Sequence, residues 1–265
     1  MRVEAVVADL DGTLVGEDLS VSPATLGSLR TLRAAGIPLV IATGRVPQGL
    51  RELDSLAREA RVAVCCSGSI GRAAHRTLWQ EELAPDAVAQ VAAAAIACRA
   101  GIAGFDGNTW RQTERYRGLS PSHGYGASRV TVAASTLARA SCVTMSVLHE
   151  DGDALAALAR DLDGIAGTGL SRVAGLDILD ITARAVDKGI GVLRALKVIG
   201  VNPGAAVSFG DMPNDIPMFA VTGRAYAVGG HPEVAAAADE VLAPAEHDGF
   251  ARKIRQFAAS QWRIA

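Results

Sequence analysis

Two aspartates separated by one residue, Asp9 and Asp11, follow a short apolar segment near the start of the chain. Carboxylates at this spacing on an extended segment can face one crevice, where one serves as nucleophile and the other as general acid and base. Gly12 permits a tight turn and Thr13 adds a hydroxyl. Calcium loops share the Asp-x-Asp-Gly pattern, but Ser20 stands where such a loop has its Glu, which argues against an EF-hand.

Two further motifs suit an anion. In Thr43-Gly44-Arg45, a hydroxyl and a backbone N–H beside glycine can hold a phosphate oxygen. Lys188 stands at the start of a predicted helix, where it adds positive charge to an anion site. Taken singly, the first motif is also typical of a plain turn, and a lone lysine is usually solvated.

The segment 210–215, with the sequence Gly-Asp-Met-Pro-Asn-Asp, adds two more carboxylates and an amide. These belong to Asp211, Asp215 and Asn214. Clustered carboxylates need a cation, and a ligand set made only of oxygen favours Mg²⁺, which takes one or two carboxylates together with a substrate phosphate. The sequence therefore predicts a magnesium site near this segment.

Short apolar segments must position these motifs, because most of the motifs come directly after one. Continuous apolar segments of this length are typical of buried parallel strands. Helical patterns lie between them: one begins at Ser22-Pro23 with an N-cap residue followed by proline, and another begins at Pro47. The order strand, helix, strand predicts an α/β fold: a Rossmann-like parallel sheet with helices on both faces and its ligands at the carboxyl ends of the strands. The predicted strands are Val3–Ala8, Ile37–Ala42, Arg61–Cys66 and Ala205–Phe209.

The middle of the chain has a different pattern. It predicts a hairpin around Asp106-Gly107-Asn108, further strands and helices, and a loop over 114–129. This pattern indicates an inserted α+β cap over residues 81–183, so that the core is discontinuous and comprises residues 1–80 and 184–265.

Composition excludes several classes of protein. The chain has 265 residues with a formal net charge of −2, so no general attraction to nucleic acid or anionic lipid is expected. No segment is long and apolar enough for a signal peptide or a membrane span, and we expect a cytoplasmic protein that is a monomer or a homodimer. The four cysteines include no CxxC pair and are expected to be reduced and mostly buried.

The four motifs, in this order and at these strand ends or helix start, resemble the haloacid dehalogenase (HAD) superfamily. The chain is most similar to the Cof-type phosphatases of subfamily IIB, which carry a large cap between the second and third motifs. The resemblance covers nearly the whole chain, including His247-Asp248-Gly249-Phe250 before the last helix.

The resemblance implies a role for each motif residue. Asp9 would attack phosphorus and form an aspartyl-phosphate, while Asp11 would protonate the leaving alcohol and then activate water. Lys188 would offset the charges of Asp9 and the phosphate. The phosphoryl group would be bound by Thr43, Gly44 and Asn214, and Mg²⁺ by Asp9, the Asp11 backbone carbonyl and Asp211, with Asp215 close by and partly outside direct coordination.

The resemblance also separates activities within the superfamily. Haloalkanoate dehalogenases lack the second aspartate, so Asp11 favours phosphoryl transfer from a small phosphorylated metabolite, most simply a sugar phosphate. Cof-type members often have Asn-Gly-Ala where this chain has Ser67-Gly68-Ser69, so a different substrate preference is expected, and Arg45 and Ser67 are candidate substrate contacts. Three alternatives stay open: a specific enzyme such as a mannosyl-3-phosphoglycerate or sucrose-phosphate phosphatase, a phosphotransferase or mutase, and a non-enzymatic phosphate or metal sensor.

Overall fold

The computed structural model describes residues 2–74, 76–119, 127–173 and 176–263. Within these ranges the chain forms two β-sheets with α-helices packed against them. The strands are β1 (Ala5–Ala8), β2 (Leu39–Ala42), β3 (Ala60–Cys65), β4 (Ile70–Ala73), β5 (Arg76–Gln80), β6 (Gly101–Phe105), β7 (Thr109–Gln112), β8 (Ser128–Thr131), β9 (Thr144–Leu148), β10 (Gly167–Val173), β11 (Leu176–Thr182), β12 (Ala206–Gly210), β13 (Arg224–Val228) and β14 (Glu240–Leu242). The helices are α1 (Pro23–Ala34), α2 (Asp54–Ala57), α3 (Pro85–Ala97), α4 (Glu114–Leu119), α5 (Ala134–Leu137), α6 (Gly152–Asp161), α7 (Lys188–Ile199), α8 (Ile216–Phe219), α9 (Pro232–Ala237) and α10 (Gly249–Ala259).

The first sheet, called the core sheet, has the strand order β14-β13-β12-β1-β2-β3-β4-β5 among the described residues. Its strands run parallel from β14 to β3. The last two strands, β4 and β5, extend it as an antiparallel hairpin. The predicted parallel α/β sheet is confirmed, whereas the hairpin was not predicted.

Helices cover both faces of the core sheet. On one face, Leu29 and Leu32 of α1 and Ile254 of α10 share a cluster of buried side chains with strand residues. On the other face, Val192 of α7 and Val234 of α9 belong to a second cluster. Because both faces are covered, the central strands are fully buried, and this explains their continuous apolar sequences.

The second sheet, called the cap sheet, has the order β10-β11-β9-β6-β7-β8 among the described residues. Its pairs are antiparallel except for β7 and β8. One face packs on α3 and α6 through residues such as Val91 and Leu155. The opposite face carries Trp110 and Ile178, and it lies over the carboxyl ends of the core strands. This is the expected α+β cap, while the boundaries drawn at residues 80 and 183 remain a prediction.

Local structure differs from the prediction in two places. The helix expected from Pro47 begins as a 3₁₀ helix (Pro47–Leu53) and continues only as the short α2, in keeping with the low helix propensity of Gly49. The loop expected over 114–129 begins instead with α4, since burial of the Tyr116 side chain outweighs the polar local sequence. Residues 120–126 of that predicted loop lie outside the described residues. None of the described helices has the length and apolar character that crossing a membrane requires.

Candidate active site

Four neighbouring strands of the core sheet end at one crevice. Asp9 follows β1, Thr43 follows β2, Ser67 follows β3 and Asp211 follows β12, and these strands lie side by side in the order β12-β1-β2-β3. The crevice lies where the strand order reverses direction, between β12 and β1, which is where open α/β sheets bind their ligands. The sheet topology therefore brings together motifs that are about 200 residues apart in sequence.

Lys188 lies between two of the predicted carboxylates. Its Nζ atom is 2.9 Å from Oδ1 of Asp9 and 2.6 Å from Oδ1 of Asp215. The lysine is the first residue of α7, and this helix start is held by the Asp187 side chain, which accepts a hydrogen bond of 2.8 Å from the amide of Ile190. Burial alone would lower the pKa of Lys188, but Asp215 and Asp9 together raise it, so the ammonium stays charged.

Asp9, Asp211 and Asp215 form the acidic cluster of the crevice, and each offers a carboxylate oxygen within 4.8 Å of the others. Burial raises the pKa of Asp9 to about 7, with Lys188 opposing this shift and Asp215 and Asp11 adding to it. Burial, followed by the charges of Asp9 and Asp215, also raises the pKa of Asp211. Two buried carboxylates and a partly buried one beside a single lysine leave an excess of negative charge, and these hard oxygen donors fit a divalent cation such as Mg²⁺.

Hydrogen bonds fix the two acids from the segment 210–215. Oδ2 of Asp215 accepts from the backbone amides of Asp211 and Met212 at 2.9 and 3.0 Å, while its Oδ1 is taken by Lys188. Asp211 accepts a 2.8 Å hydrogen bond from the hydroxyl of Thr13. Asp215 thus positions Lys188 and the turn that carries Asp211, while its place partly outside direct coordination of a metal remains a prediction.

Gly12 allows the loop after β1 to approach Asp211. Its φ angle is +85°, in the left-handed region, and a Cβ atom at this position would lie 2.1 Å from Oδ2 of Asp211. Any larger residue would therefore push away one of the candidate metal ligands. Gly12 is therefore needed both for the turn after β1 and for the position of Asp211 in the acidic cluster.

Asp11 is held by Arg45 through two hydrogen bonds. Nε of Arg45 donates to Oδ2 at 2.7 Å and Nη2 donates to Oδ1 at 2.5 Å, and both side chains are nearly buried. The guanidinium presents two parallel donors, which is the geometry that fixes a carboxylate most firmly. Arg45 was predicted as a substrate contact; it lines the crevice, and it also orients the predicted acid and base.

Thr43 and Gly44 form the turn after β2. Oγ1 of Thr43 accepts a 3.0 Å hydrogen bond from the amide of Arg45, and the Thr43 carbonyl accepts one of 3.0 Å from the amide of Ser67. A Cβ atom on Gly44 would come within 2.8 Å of Oδ2 of Asp180, so only glycine lets this cap side chain approach so closely. The turn thus lies between the core and the cap, with the binding of phosphate by its hydroxyl and amide still a prediction.

Asp180 of β11 is a site residue that the sequence analysis missed. Its carboxylate accepts a 2.9 Å hydrogen bond from Oγ of Ser67 and further side-chain hydrogen bonds from Ser171 and Asn214. Burial raises its pKa, and the neighbouring hydroxyls, Lys188 and Asn214 oppose this shift. Asp180 stands between the buried Leu179 and Ile181 of β11, and a carboxylate within a buried stretch of a strand was the signal that could have identified it.

The position of Ser67 depends on an unusual turn. Cys66 and Ser67 both adopt positive φ angles, 51° and 49°, a region that non-glycine residues seldom occupy. This turn directs the Ser67 hydroxyl to Asp180 in the cap. The predicted substrate contact is therefore part of a bridge between core and cap.

The cleft between core and cap includes most of the predicted residues and several from the cap sheet. The predicted members are Asp9, Asp11, Thr43, Gly44, Arg45, Lys188 and Asn214, and the others are Trp110, Thr144, Ser146, Ser171, Ile178, Asp180 and Met212. Trp110 packs between Phe105 and Tyr116 with ring centroids 6.0 and 6.2 Å away, so it is a packing residue of the cap that also borders the cleft.

The loop predicted over residues 114–129 carries polar side chains that lie in different surroundings. Arg115 pairs with Glu150 and Arg117 pairs with Glu114, and all four side chains are largely exposed to solvent. Tyr116 is buried and donates a 3.1 Å hydrogen bond to Oγ of Ser146. His123 and Tyr125 of the same loop lie outside the described residues.

The cysteines take no part in this chemistry. All four are free thiols, and Cys65, Cys66 and Cys142 are buried. Burial raises the pKa of Cys65 and that of Cys142 to about 12, so these two groups remain protonated near neutral pH.

Comparisons with known proteins agree with this architecture. The family model of the haloacid dehalogenase-like hydrolases matches residues 6–254. An HMP-PP phosphatase from Cronobacter sakazakii is 26% identical over 223 residues, which is 83% of this chain and 82% of that protein. An HMP-PP phosphatase from an Enterobacter species has the same identity and coverage.

Solved structures show the same fold. The HAD subclass IIB sugar phosphatase BT4131 superposes with a TM-score of 0.84 at 21% identity, over 97% of this chain and 99% of that one. A haloacid dehalogenase-like hydrolase from B. subtilis superposes with a TM-score of 0.83 at 17% identity, over 96% and 99%. At these identities the structures establish the fold, while the family match over nearly the whole chain establishes the membership: this protein belongs to the haloacid dehalogenase-like hydrolases and is an enzyme.

Proposed function

We propose that this enzyme is a Mg²⁺-dependent phosphatase that hydrolyses a small phosphorylated metabolite, such as a sugar phosphate, through an aspartyl-phosphate. The observation that supports this most directly is the contact of Lys188 with Asp9 beside a cluster of three acidic side chains. A phosphate dianion is repelled by a carboxylate nucleophile unless cations offset its charge, and this site offers one buried cation and oxygen ligands for a second. The phosphatase names of the curated relatives agree with the proposal.

In the first step, a carboxylate oxygen of Asp9 attacks phosphorus and the bond from phosphorus to the leaving oxygen breaks. Asp11 gives its proton to that oxygen, while Lys188 offsets the charge of Asp9 and of the phosphoryl group. In the second step, Asp11 takes a proton from a water molecule that attacks phosphorus, and the bond to Asp9 breaks. The products are an alcohol and inorganic phosphate, and Asp9 is regenerated.

The remaining residues bind and orient the phosphoryl group and the metal ion. Thr43 and the amide of Gly44 hold the transferring group, and Asn214, whose side-chain amide donates to Asp180, lines the cleft beside them. Mg²⁺ would be held by Asp9, Asp211 and the Asp11 carbonyl, with Asp215 beside them. When bound, the metal neutralises phosphate charge.

The test is phosphate release from a panel of small monoesters and from p-nitrophenyl phosphate, with Mg²⁺ and with EDTA. We expect release that depends on Mg²⁺ and that is lost in Asp9→Asn, because an amide cannot act as the nucleophile. Asp18→Asn is a control that changes an exposed acid away from the crevice. Turnover that is unchanged in Asp9→Asn would exclude Asp9 as the nucleophile, and no release from any ester would contradict the phosphatase proposal as a whole.

A further inference from the structure

The cap sheet carries a polar pair over the reaction centre. Ser146 of β9 and Asp180 of β11 are directly paired in register, so their side chains lie next to each other on the same face of the sheet. Both border the cleft together with Asp9 and Lys188, and both are more than nine-tenths buried. A buried carboxylate on the cap side faces the space that the leaving group of a substrate must occupy.

A second acceptor lies beside this pair on the core side. The Asn214 side chain is 6% exposed, and its Oδ1 atom has no hydrogen-bond partner. Its amide donates to Asp180, which fixes the orientation and leaves Oδ1 as the acceptor. Because a buried acceptor without a partner costs free energy, this atom is suited to receive a donor from a ligand.

The hydroxyl of Ser146 complements the two acceptors. Its Oγ atom already accepts a hydrogen bond from Tyr116, so its own proton is free to be donated into the cleft. One donor and two acceptors close together match a ligand hydroxyl, which both donates and accepts. The apolar side chain of Ile178 is a further member of the cleft lining.

The charges in the cleft favour the same kind of ligand. Among the described residues that line it, the cationic side chains are Arg45 and Lys188. Arg45 is paired with Asp11, and Lys188 is paired with Asp9 and Asp215. A second phosphate or a carboxylate on the leaving group would meet the carboxylate of Asp180 without a cation to compensate for it.

We propose that Asp180, Ser146 and Asn214 select a phosphate monoester whose leaving group carries hydroxyl or amine donors and no second anionic group. This inference rests on the proposed function and adds to it the part of the substrate that the cap recognises. Asp180 is then a specificity-determining residue supplied by the cap, and Asn214 contributes to the leaving-group site from the core.

The test compares kcat/KM of the full-length enzyme with Mg²⁺ on five esters. Glucose 6-phosphate and glucosamine 6-phosphate carry donors, 6-phosphogluconate and fructose 1,6-bisphosphate add an anionic group, and p-nitrophenyl phosphate has neither. We expect at least about tenfold higher kcat/KM for the better of the first two than for either anionic ester. Comparison of glucose with glucosamine 6-phosphate then separates hydroxyl from amine recognition.

Substitution of the cap acid provides the second measurement. In Asp180→Asn, the ratio of kcat/KM for the donor-bearing ester to that for p-nitrophenyl phosphate should fall about tenfold, mainly because KM for the donor-bearing ester rises. The difference in kcat/KM between the donor-bearing and the anionic esters should also become smaller. Asp177→Asn is the matched control, because this acid lies on the same strand outside the cleft lining and should leave the ratio unchanged. If Asp180→Asn does not fold, Ser146→Ala tests the same pair.

The outcomes separate this inference from the proposed function. Two results overturn the inference and leave the phosphatase proposal intact. The first is hydrolysis of p-nitrophenyl phosphate together with a preference for the anionic esters. The second is that folded Asp180→Asn and Ser146→Ala keep the ratio of kcat/KM between the donor-bearing ester and p-nitrophenyl phosphate. A parallel loss on all esters in these variants would show that they support the reaction centre rather than recognise the leaving group, which also overturns it. No hydrolysis of any ester by the unmodified enzyme overturns both.

Discussion

Arg45 holds both carboxylate oxygens of Asp11, with contacts of 2.7 and 2.5 Å. The pair is nearly buried, so each side chain depends on the other for its charge balance. The proposed role of Asp11, as an acid toward the leaving oxygen and then as a base toward water, needs a fixed orientation of its carboxylate. The Arg45 guanidinium supplies this orientation from the neighbouring strand end. Arg45 of the Thr-Gly-Arg motif therefore orients Asp11 of the first motif. The backbone amide of Arg45 in turn donates a hydrogen bond to Oγ1 of Thr43.

This relationship predicts a leaving-group dependence in Arg45→Lys. Lysine keeps the charge but cannot make two parallel hydrogen bonds, so Asp11 loses its orientation. We expect kcat/KM to fall about tenfold or more on alkyl phosphates, whose leaving oxygen needs a proton, and less on p-nitrophenyl phosphate, whose leaving group needs none. Steady-state kinetics on both ester types measure this, and an equal loss on both would show that Arg45 contacts the phosphoryl group instead.

A second prediction concerns the buried charge of Lys188. In Lys188→Met, Asp9 and Asp215 lose their shared cation, and leaving buried charges without a partner typically costs about 3–5 kcal/mol. We expect a lower melting temperature in EDTA and a larger rise on addition of Mg²⁺ than the unmodified enzyme shows, because the metal then offsets more of the repulsion. Differential scanning calorimetry with and without Mg²⁺ measures both effects.

Lys197→Met, at the solvent-exposed end of the same helix, is the matched control and should change neither value appreciably. An equal Mg²⁺-induced rise in Lys188→Met and in the unmodified enzyme would contradict the idea that lysine and metal share the neutralisation of these acids.

A third prediction follows from the approach of Gly12 to Asp211. Both Gly12 and Gly36 have positive φ angles, +85° and +71°, so alanine is strained at either position. Only at Gly12 would the added Cβ meet Asp211, whereas nothing lies within 4 Å at Gly36. Gly36→Ala should lose about 1 kcal/mol of stability and keep its activity, while Gly12→Ala should in addition bind Mg²⁺ at least about tenfold more weakly.

Isothermal titration of Mg²⁺ into both variants, alongside denaturant unfolding, distinguishes the two effects. Equal metal affinity in the two variants would show that Asp211 can move without consequence, and it would remove Asp211 from the proposed ligands.

The core motifs could be predicted from sequence because they lie at strand ends. Buried strands are recognised in the sequence by their continuous apolar segments. In a parallel sheet, the residues that follow neighbouring strands lie at the same edge. Asp9, Thr43 and Asp211 were predicted in this way, and Lys188 was predicted from its position at the start of a helix. The order of the strands in the sheet was not predicted. Their proposed catalytic roles remain predictions.

The contacts between cap and core could not be predicted in the same way. Whether Asp180 faces the helices or the cleft depends on the register of β9 with β11, and the sequence predicted these strands without their pairing. The turn that presents Ser67 requires positive φ angles at two non-glycine residues, which no local propensity indicates. Helix α4 was missed because it is stabilised by the burial of Tyr116 rather than by its own polar sequence.

A fourth prediction concerns pH and metal binding. The pKa of Asp9 is raised to about 7, chiefly by burial, so without metal this carboxyl gains a proton as the pH falls through that value. Mg²⁺ binds the ionised form and must displace the proton. Between pH 8 and pH 6 the ionised fraction falls about tenfold, and the apparent dissociation constant for Mg²⁺ should rise by about the same factor, as measured by calorimetric titration. Asp9→Asn cannot take up this proton, so its dissociation constant for Mg²⁺ should depend less on pH. Equal pH dependence in both proteins would assign the titration to another group. Asp211, whose pKa is also raised, is the next candidate.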